Sequence, residues 1–145
     1  MNSIRFQDLG AQQNWITGGY QNSKSGKTIS VISPYFGKEI ATVPDSSLAD
    51  LDDAVQTAKD AFPDWSLRNI RDRAEVMFNL KSIMERNLEE LAHLIALDNG
   101  KTVADAKGSI LRGKEVVEFA TSLPSILKGD SSAVGAGIAC TMTHE

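Results

Sequence analysis

The first 44 residues alternate short β-favouring runs with polar turns. The runs are Trp15–Tyr20, Thr28–Ile32 and Glu39–Val43. They are rich in β-branched and aromatic residues, Gly, Ser and Pro separate them, and Pro44 ends the third. This pattern predicts three short strands, preceded by a poorly fixed polar arm over residues 1–14. Three strands cannot bury both of their faces, so we expect them to pack on a partner layer.

From Asp45 onward the apolar period changes from two residues to about 3.6. The first helical stripe consists of Leu48, Leu51, Val55, Ala58 and Phe62. Ser47 and Asp50 have the spacing of a capping box, which predicts the start of this helix. Pro63 is expected to end it, because the residue before a proline avoids helical dihedrals.

Three more helices are predicted before Pro124. The second begins near Ile70. The third begins at Asn87, with Glu90 in capping-box position, and is expected to pack Leu88, Leu91, Leu94 and Ile95. The fourth follows a stop at Gly100, with Thr102 as its cap and Asp105 three residues on. Its stripe is Val103, Ala106, Ile110, Gly113, Val117 and Ala120.

The Gly- and Ser-rich stretch 129–137 is expected to lead to Glu145 without a further element.

The predicted fold class is therefore α/β, with three short N-terminal strands followed by four helices. Residues 1–44 form the N-terminal arm and strands, and residues 45–145 form the helical part. Strands followed by helices usually share a layer, and several of these helical stripes are wide. We expect part of this apolar surface to cover a main sheet that the 145 residues do not contain.

Composition excludes several classes of function. The net charge is −4, from 15 basic and 19 acidic residues that are intermixed, so no basic face is available for nucleic acid. No apolar run is long enough to span a membrane, and the N-terminus lacks the apolar core of a secretory signal. The single cysteine, Cys140, excludes an internal disulfide and indicates a reducing compartment. The cytoplasm is the expected location.

Most residues with reactive side chains have an ordinary structural interpretation. Cys140 lies in an apolar, strand-like stretch with no histidine nearby, which favours a small buried hydrophobe over an activated thiolate. Neither His93 nor His144 has a second ligand at metal-binding spacing. Gly135-Ala136-Gly137 is interpreted as a turn, because no helix start follows it.

Two charged residues are candidates for binding. Asp98 lies at a helix end, where its charge opposes the helix dipole, so a partner is expected, either Lys101 or a cation. Arg112 lies on the fourth helix between two glycines, Gly108 and Gly113. It could pair with Glu115 one turn on, or it could hold a substrate carboxylate in a bidentate fashion.

Several segments resemble the opening of the aldehyde dehydrogenase superfamily. They are Trp15–Gly19, Ser33-Pro34 with Gly37–Ala41, Ala58–Trp65, Arg73-Ala74, Asn87–Ala92 and Asp98–Thr102. Within that superfamily, the run Gly108–Ala120 is most similar to methylmalonate-semialdehyde dehydrogenases. The resemblance extends from about Trp15 to the end of the chain.

The resemblance implies the leading part of a cofactor-binding domain that lacks its main sheet. It implies an oligomeric enzyme that uses NAD and coenzyme A to convert methylmalonate or malonate semialdehyde to propionyl-CoA or acetyl-CoA. Arg112 would hold the substrate carboxylate, and Asp98 would bind a monovalent cation. The catalytic cysteine, glutamate and asparagine and the nicotinamide-binding segments are expected beyond Glu145. No catalytic or cofactor-binding residue is therefore assigned here, and the chain alone is expected to be inactive.

Two alternatives remain open. The first is another aldehyde dehydrogenase, of the succinate-semialdehyde or general aliphatic type, which would have no coenzyme A step. The second is a non-enzymatic helical interaction module that retains only the opening of the family. For the 145-residue chain itself, exposed apolar helix faces are expected to cause self-association.

Overall fold

The computed structural model describes residues 4–143. In chain order the elements are β1 (Asn14–Ile16), β2 (Gly19–Gln21), β3 (Thr28–Ser33), β4 (Lys38–Pro44), α1 (Leu48–Ser66), α2 (Ile70–Arg86), α3 (Leu88–Asn99), α4 (Val103–Ala120), α5 (Leu123–Ile126), β5 (Asp130–Gly135) and β6 (Ile138–Met142). Strands followed by four long helices confirm the predicted α/β class. The strands pair as three antiparallel hairpins, β1–β2, β3–β4 and β5–β6.

The described residues form two compact units. The first contains the chain up to Leu67 together with Asn87–Ile110, and the second contains Arg68–Arg86 and the chain from Leu111 onward. The predicted division into 1–44 and 45–145 groups the residues differently and stays a prediction.

The N-terminal region is more ordered than the sequence pattern indicates. The run that was expected to be one strand is the hairpin β1–β2, turned by Thr17 and Gly18 with φ of 58° and 74°. The preceding arm is attached to β4. The Leu9 amide donates to Ile40 O (2.7 Å) and the Gln12 amide to Thr42 O (2.8 Å). The expectation of a loose arm is therefore wrong for these residues, because the open edge of β4 provides partners for their backbone groups.

Helix α1 begins as predicted and ends later than predicted. Ser47 and Asp50 form the complete capping box. Pro63 lies inside the helix, which continues to Ser66, so the prediction that it ends α1 is wrong. Proline lacks a helical donor and its ring crowds the carbonyl four residues back, yet the chain stays helical, and the Leu67 amide donates to Pro63 O (3.2 Å).

The core of the first unit consists mainly of small residues. The buried apolar side chains are Ile40, Ala41, Ala92, Ala96, Leu97, Ala106 and Ile110. Ser33 at the end of β3 is also buried and donates to Leu97 O (2.6 Å), which ties the strand to α3. The predicted α3 face is therefore corrected: the four large residues expected to pack there are half-buried, and Ala92, Ala96 and Leu97 are buried. Small side chains let the backbones come close, so the alanines mark the core.

The C-terminal region ends in a hairpin that the sequence analysis did not predict. Strands β5 and β6 pair from Asp130–Met142 to Gly135–Ile138. Gly129 closes the base, since a Cβ at this position would clash with the carbonyl oxygen of Met142. In the described part of the chain, no helix is long and apolar enough to cross a membrane.

Candidate functional site

Local backbone chemistry fixes where α4 begins, and both predicted signals are confirmed. Gly100 has φ of 72°, and its amide donates to Ala96 O (2.9 Å), closing α3 in the left-handed conformation. Thr102 Oγ1 accepts the Asp105 amide (3.1 Å) and donates to the Asp105 carboxylate (2.7 Å). The cap and the acidic first turn thereby set the start of the helix that carries Arg112.

Within the second unit, two ion pairs join α4 to α2. The Lys81 ammonium lies 2.9 Å from a Glu118 carboxylate oxygen, and Lys114 lies 3.1 Å from Glu85. The hydrogen bond between Lys81 and Glu118 raises the pKa of Lys81 and lowers the pKa of Glu118. Both shifts favour the charged forms, so the pair is ionised at neutral pH.

Arg112 is exposed and lies on the opposite side of α4 from these pairs. With about 100° per residue, Lys114 and Glu118 lie about 200° and 240° around the helix from Arg112. Val116 and Phe119 share its side, and they are 70% and 68% exposed. A guanidinium beside apolar side chains can bind a short carboxylated molecule through a bidentate contact. The carboxylate role of Arg112 stays a prediction.

The residues around Asp98 do not all pair as expected. Its carboxylate is exposed and accepts from Asn99 Nδ2 (3.1 Å). Lys101, the predicted partner, donates instead to Ser109 Oγ on α4 (2.7 Å). The described residues contain no group of three or more His, Cys, Asp or Glu side chains that could hold a metal ion. Binding of a monovalent cation at Asp98 therefore stays a prediction. No cluster of described His, Cys, Asp or Glu side chains supports it.

The interpretation of Cys140 as a buried residue is wrong. Cys140 is exposed on β6, opposite Ser132 of β5, because none of the described residues form a layer over either face of this hairpin. His93 is half-buried on α3, and His144 lies outside the described residues.

The turn around Gly137 does not have the geometry of a dinucleotide-binding loop. Gly137, with φ of 78°, turns β5 into β6, which confirms the predicted turn. A strand follows this turn, whereas a pyrophosphate needs a glycine-rich turn that opens a helix behind a parallel strand. No chemical step through NAD is therefore derived from these residues.

A buried polar network around Asp50 was missed by the sequence analysis. Its carboxylate accepts from Ser23 Oγ (2.7 Å), the Lys24 amide (2.9 Å), and both the amide and the hydroxyl of Ser47 (2.7 Å each). These hydrogen bonds, led by the Lys24 amide, hold the pKa of Asp50 far below its usual range. The capping box predicted only the Ser47 contacts. Ser23 and Lys24 come from a loop distant in sequence, which no local pattern identifies.

Beside this network lies an open cleft of about 480 Å³ between β1 and the start of α1. Trp15, Ile16, Leu48, Leu51 and Ala54 form its apolar wall, and Asn14, Ser46, Ser47 and Asp50 form its polar end. Its polar groups already bond to one another, as in the contact from Asn14 Nδ2 to Ser46 Oγ (2.9 Å). The cleft is therefore not assigned as a substrate site.

Comparison with known proteins identifies a family. The family model described as "Aldehyde dehydrogenase family" matches residues 20–145. Malonate-semialdehyde dehydrogenase 1 of Oceanobacillus iheyensis is 44% identical over 119 residues, covering 82% of this chain and 24% of the relative. The malonate-semialdehyde dehydrogenase of Bacillus subtilis is 40% identical over 121 residues, covering 83% of this chain and 25% of the relative.

A solved structure agrees with these sequence matches. It is a candidate methylmalonate-semialdehyde dehydrogenase from Sinorhizobium meliloti in complex with NAD, which aligns with a TM-score of 0.81 at 33% identity. The alignment covers 94% of this chain and 28% of that protein. This chain thus spans about a quarter of the length of the relatives that it matches. A family model that matches most of the residues, together with a shared fold, shows that the chain belongs to the aldehyde dehydrogenase family.

Proposed function

We propose that this chain is the leading part of an NAD-dependent, coenzyme A-acylating dehydrogenase of methylmalonate or malonate semialdehyde. The intact enzyme would convert the semialdehyde to propionyl-CoA or acetyl-CoA, with loss of carbon dioxide and transfer of a hydride to NAD. The chain alone would be inactive. The observation that carries the proposal is an exposed arginine on α4 in a chain whose relatives are named for aldehydes that contain a carboxylate.

Arg112 is the residue that would recognise the substrate. Malonate semialdehyde differs from a simple aldehyde by one carboxylate, and a guanidinium matches the planar geometry of that group. Moving a carboxylate from water into a protein site without a charged partner costs free energy. An enzyme for this substrate therefore needs a fixed cation near the carboxylate of the bound substrate. Discrimination against uncharged aldehydes would follow from the same contact.

NAD and coenzyme A would bind to segments other than the described ones. The structural relative from Sinorhizobium meliloti contains NAD, which supports a nicotinamide cofactor for the intact enzyme. NAD supplies the hydride acceptor when bound. The role of this chain would be to bind and orient the substrate carboxylate through Arg112.

We further propose a homo-oligomer in the cytoplasm. Both strands of the β5–β6 hairpin are exposed along their whole length, including the apolar residues Val134, Ile138 and Met142. A two-stranded hairpin is marginally stable alone in water, so a partner strand or layer would stabilise it. The single cysteine needs no oxidising compartment.

The direct test is turnover by the enzyme expressed from its complete natural gene. Malonate semialdehyde should give NADH and acetyl-CoA in equal amounts, and omission of coenzyme A should reduce the rate. NADH formation that needs no coenzyme A and yields a free dicarboxylic acid would favour the succinate-semialdehyde or aliphatic type. A native protein of 15.7 kDa with a partner and no turnover would favour the interaction module.

A further inference from the structure

Two ion pairs join α2 to α4 within the two turns of α4 that follow Arg112. Lys114 pairs with Glu85 at 3.1 Å, and Lys81 pairs with Glu118 at 2.9 Å. The lysine side chains are 25% and 28% exposed and their glutamate partners 49% and 55%, so both pairs lie at the surface beside the two helices. Each pair is therefore expected to contribute only a small stabilisation, as surface ion pairs do.

The two pairs match the register of antiparallel helices. Lys81 and Glu85 are four residues apart on α2, and Lys114 and Glu118 are four residues apart on α4. Each helix therefore supplies one lysine and one glutamate, one turn apart. A one-turn slide of α4 would place lysine opposite lysine or glutamate opposite glutamate, so the charges specify a single register.

Apolar packing alone specifies this register weakly. Ala74 is the one buried residue of the described α2. Next to Lys114, a Cβ at Gly113 would lie 3.8 Å from the Met84 methyl group, which is ordinary contact. This contact does not restrict the rotation of α4 about its own axis, because the methionine side chain is flexible and glycine has no side chain to pack against it.

We propose that the Lys114–Glu85 and Lys81–Glu118 pairs are positioning pairs that fix the rotation of α4 and so direct Arg112 toward the substrate carboxylate. This inference rests on the proposed function. Gly113, Lys114 and Glu118 lie about 100°, 200° and 240° around the helix from Arg112, so the anchored side is centred opposite it. A rotation of about 20° moves a side chain about 6 Å from the axis by about 2 Å. That shift exceeds the roughly 0.5 Å within which a binding group must be held.

The test uses the complete enzyme and two substrates, malonate semialdehyde and uncharged propanal. The variants are K114E, the double variant K114E/E85K, which exchanges the two charges, and R112L as the reference for a lost carboxylate contact. K24E is the matched control, because it breaks the ion pair between Lys24, in the β2–β3 loop, and Asp53 of α1, both remote in sequence from α4. E85Q removes one charge of the same pair without adding repulsion. It replaces K114E as the test variant if K114E folds poorly.

The positioning role predicts a selective change in KM. K114E should raise KM for malonate semialdehyde about two- to fivefold, E85Q should raise it less, and the charge exchange should return it to within about twofold of wild type. KM for propanal should stay unchanged in every variant, and K24E should behave as wild type.

Two patterns overturn the inference separately from the proposed function. If R112L raises KM selectively while K114E and E85Q do not, or if the charge exchange fails to restore KM, the pairs have no positioning role. Equal effects of K114E on both substrates would indicate only a general structural role. If R112L itself leaves the preference for malonate semialdehyde intact, the proposed function fails and the positioning role fails with it.

Discussion

At the scale of single residues, Gly100 shows how one position joins two elements. Its φ of 72° closes α3, and a Cβ there would lie 2.9 Å from Pro34 Cγ and 3.4 Å from the Tyr35 amide nitrogen. Glycine is therefore required both by the backbone conformation and by the close approach of the β3–β4 turn. Only the first reason can be predicted from the local sequence, because the second depends on a turn that is distant in sequence.

Gly100→Ala should destabilise the chain by about 1–3 kcal/mol, since the left-handed backbone and the contact with Pro34 both penalise a Cβ. Gly26→Ala is the matched control, with φ of 64° and open space around the added Cβ. Gly26→Ala should lower the free energy of unfolding by less than Gly100→Ala, because only the left-handed backbone penalises its Cβ. Denaturant unfolding of both variants measures the difference, and equal costs would show that the contact with Pro34 is unimportant.

Asp50→Asn should lower the midpoint of unfolding at neutral pH, because an amide cannot accept all four hydrogen bonds that the carboxylate accepts. The native pKa of Asp50 lies below its unfolded value, so its stabilisation is complete above about pH 5 and declines as the pH falls further. The gap between wild type and D50N should therefore narrow from pH 5 to about pH 2. A gap that stays constant over this range would contradict the ionised network.

At the scale of elements, the helices were predicted better than the strands. The capping pairs Ser47–Asp50 and Thr102–Asp105 and the stop at Gly100 are local signals, and all three are confirmed. Asn87 makes no side-chain cap hydrogen bond, so the predicted Asn87–Glu90 box is wrong. The β5–β6 hairpin was missed because its sequence is rich in serine and glycine, and its pairing depends on partners in the other strand.

Thr102→Ala should fray the first turn of α4 and cost about 1 kcal/mol, because the Asp105 amide loses its acceptor. Thr102→Ser keeps the hydroxyl and should cost much less. Amide hydrogen exchange near the start of α4 would reveal the fraying directly. Equal exchange in wild type and T102A would show that the cap does not hold this end of the helix.

At the scale of the whole molecule, the exposed apolar surface is the main departure from an ordinary monomer. Along α1, the residues predicted to form a buried stripe are exposed, with Leu48 at 76%, Leu51 at 57% and Phe62 at 65%. The sequence pattern correctly predicted the stripe. It could not show what contacts it, because a periodic pattern identifies an apolar face and does not identify the surface that packs on it. The relatives are more than three times as long as this chain, which fits the proposal that further segments cover this face.

The 145-residue chain should therefore self-associate at micromolar concentration. Leu51→Lys with Phe62→Lys should reduce the association by placing two charges on the apolar stripe. Gln56→Lys adds the same kind of charge at another exposed position of α1 and should change little. Sedimentation velocity distinguishes the three proteins. A monomeric wild-type chain would contradict the interpretation of this face as an uncovered interface.

Recognition of the carboxylate by Arg112 is the central claim. The most direct measurement is the ratio of kcat/KM for malonate semialdehyde to kcat/KM for propanal, in the complete enzyme and in its R112L and R112K variants. A charged hydrogen bond contributes about 1.5–3 kcal/mol, so R112L should lower this ratio about 10- to 150-fold, while kcat/KM for propanal stays within about threefold. The ratio for R112K should lie between those of wild type and R112L, because lysine keeps the positive charge but cannot make the bidentate contact. An unchanged ratio in R112L would contradict the claim.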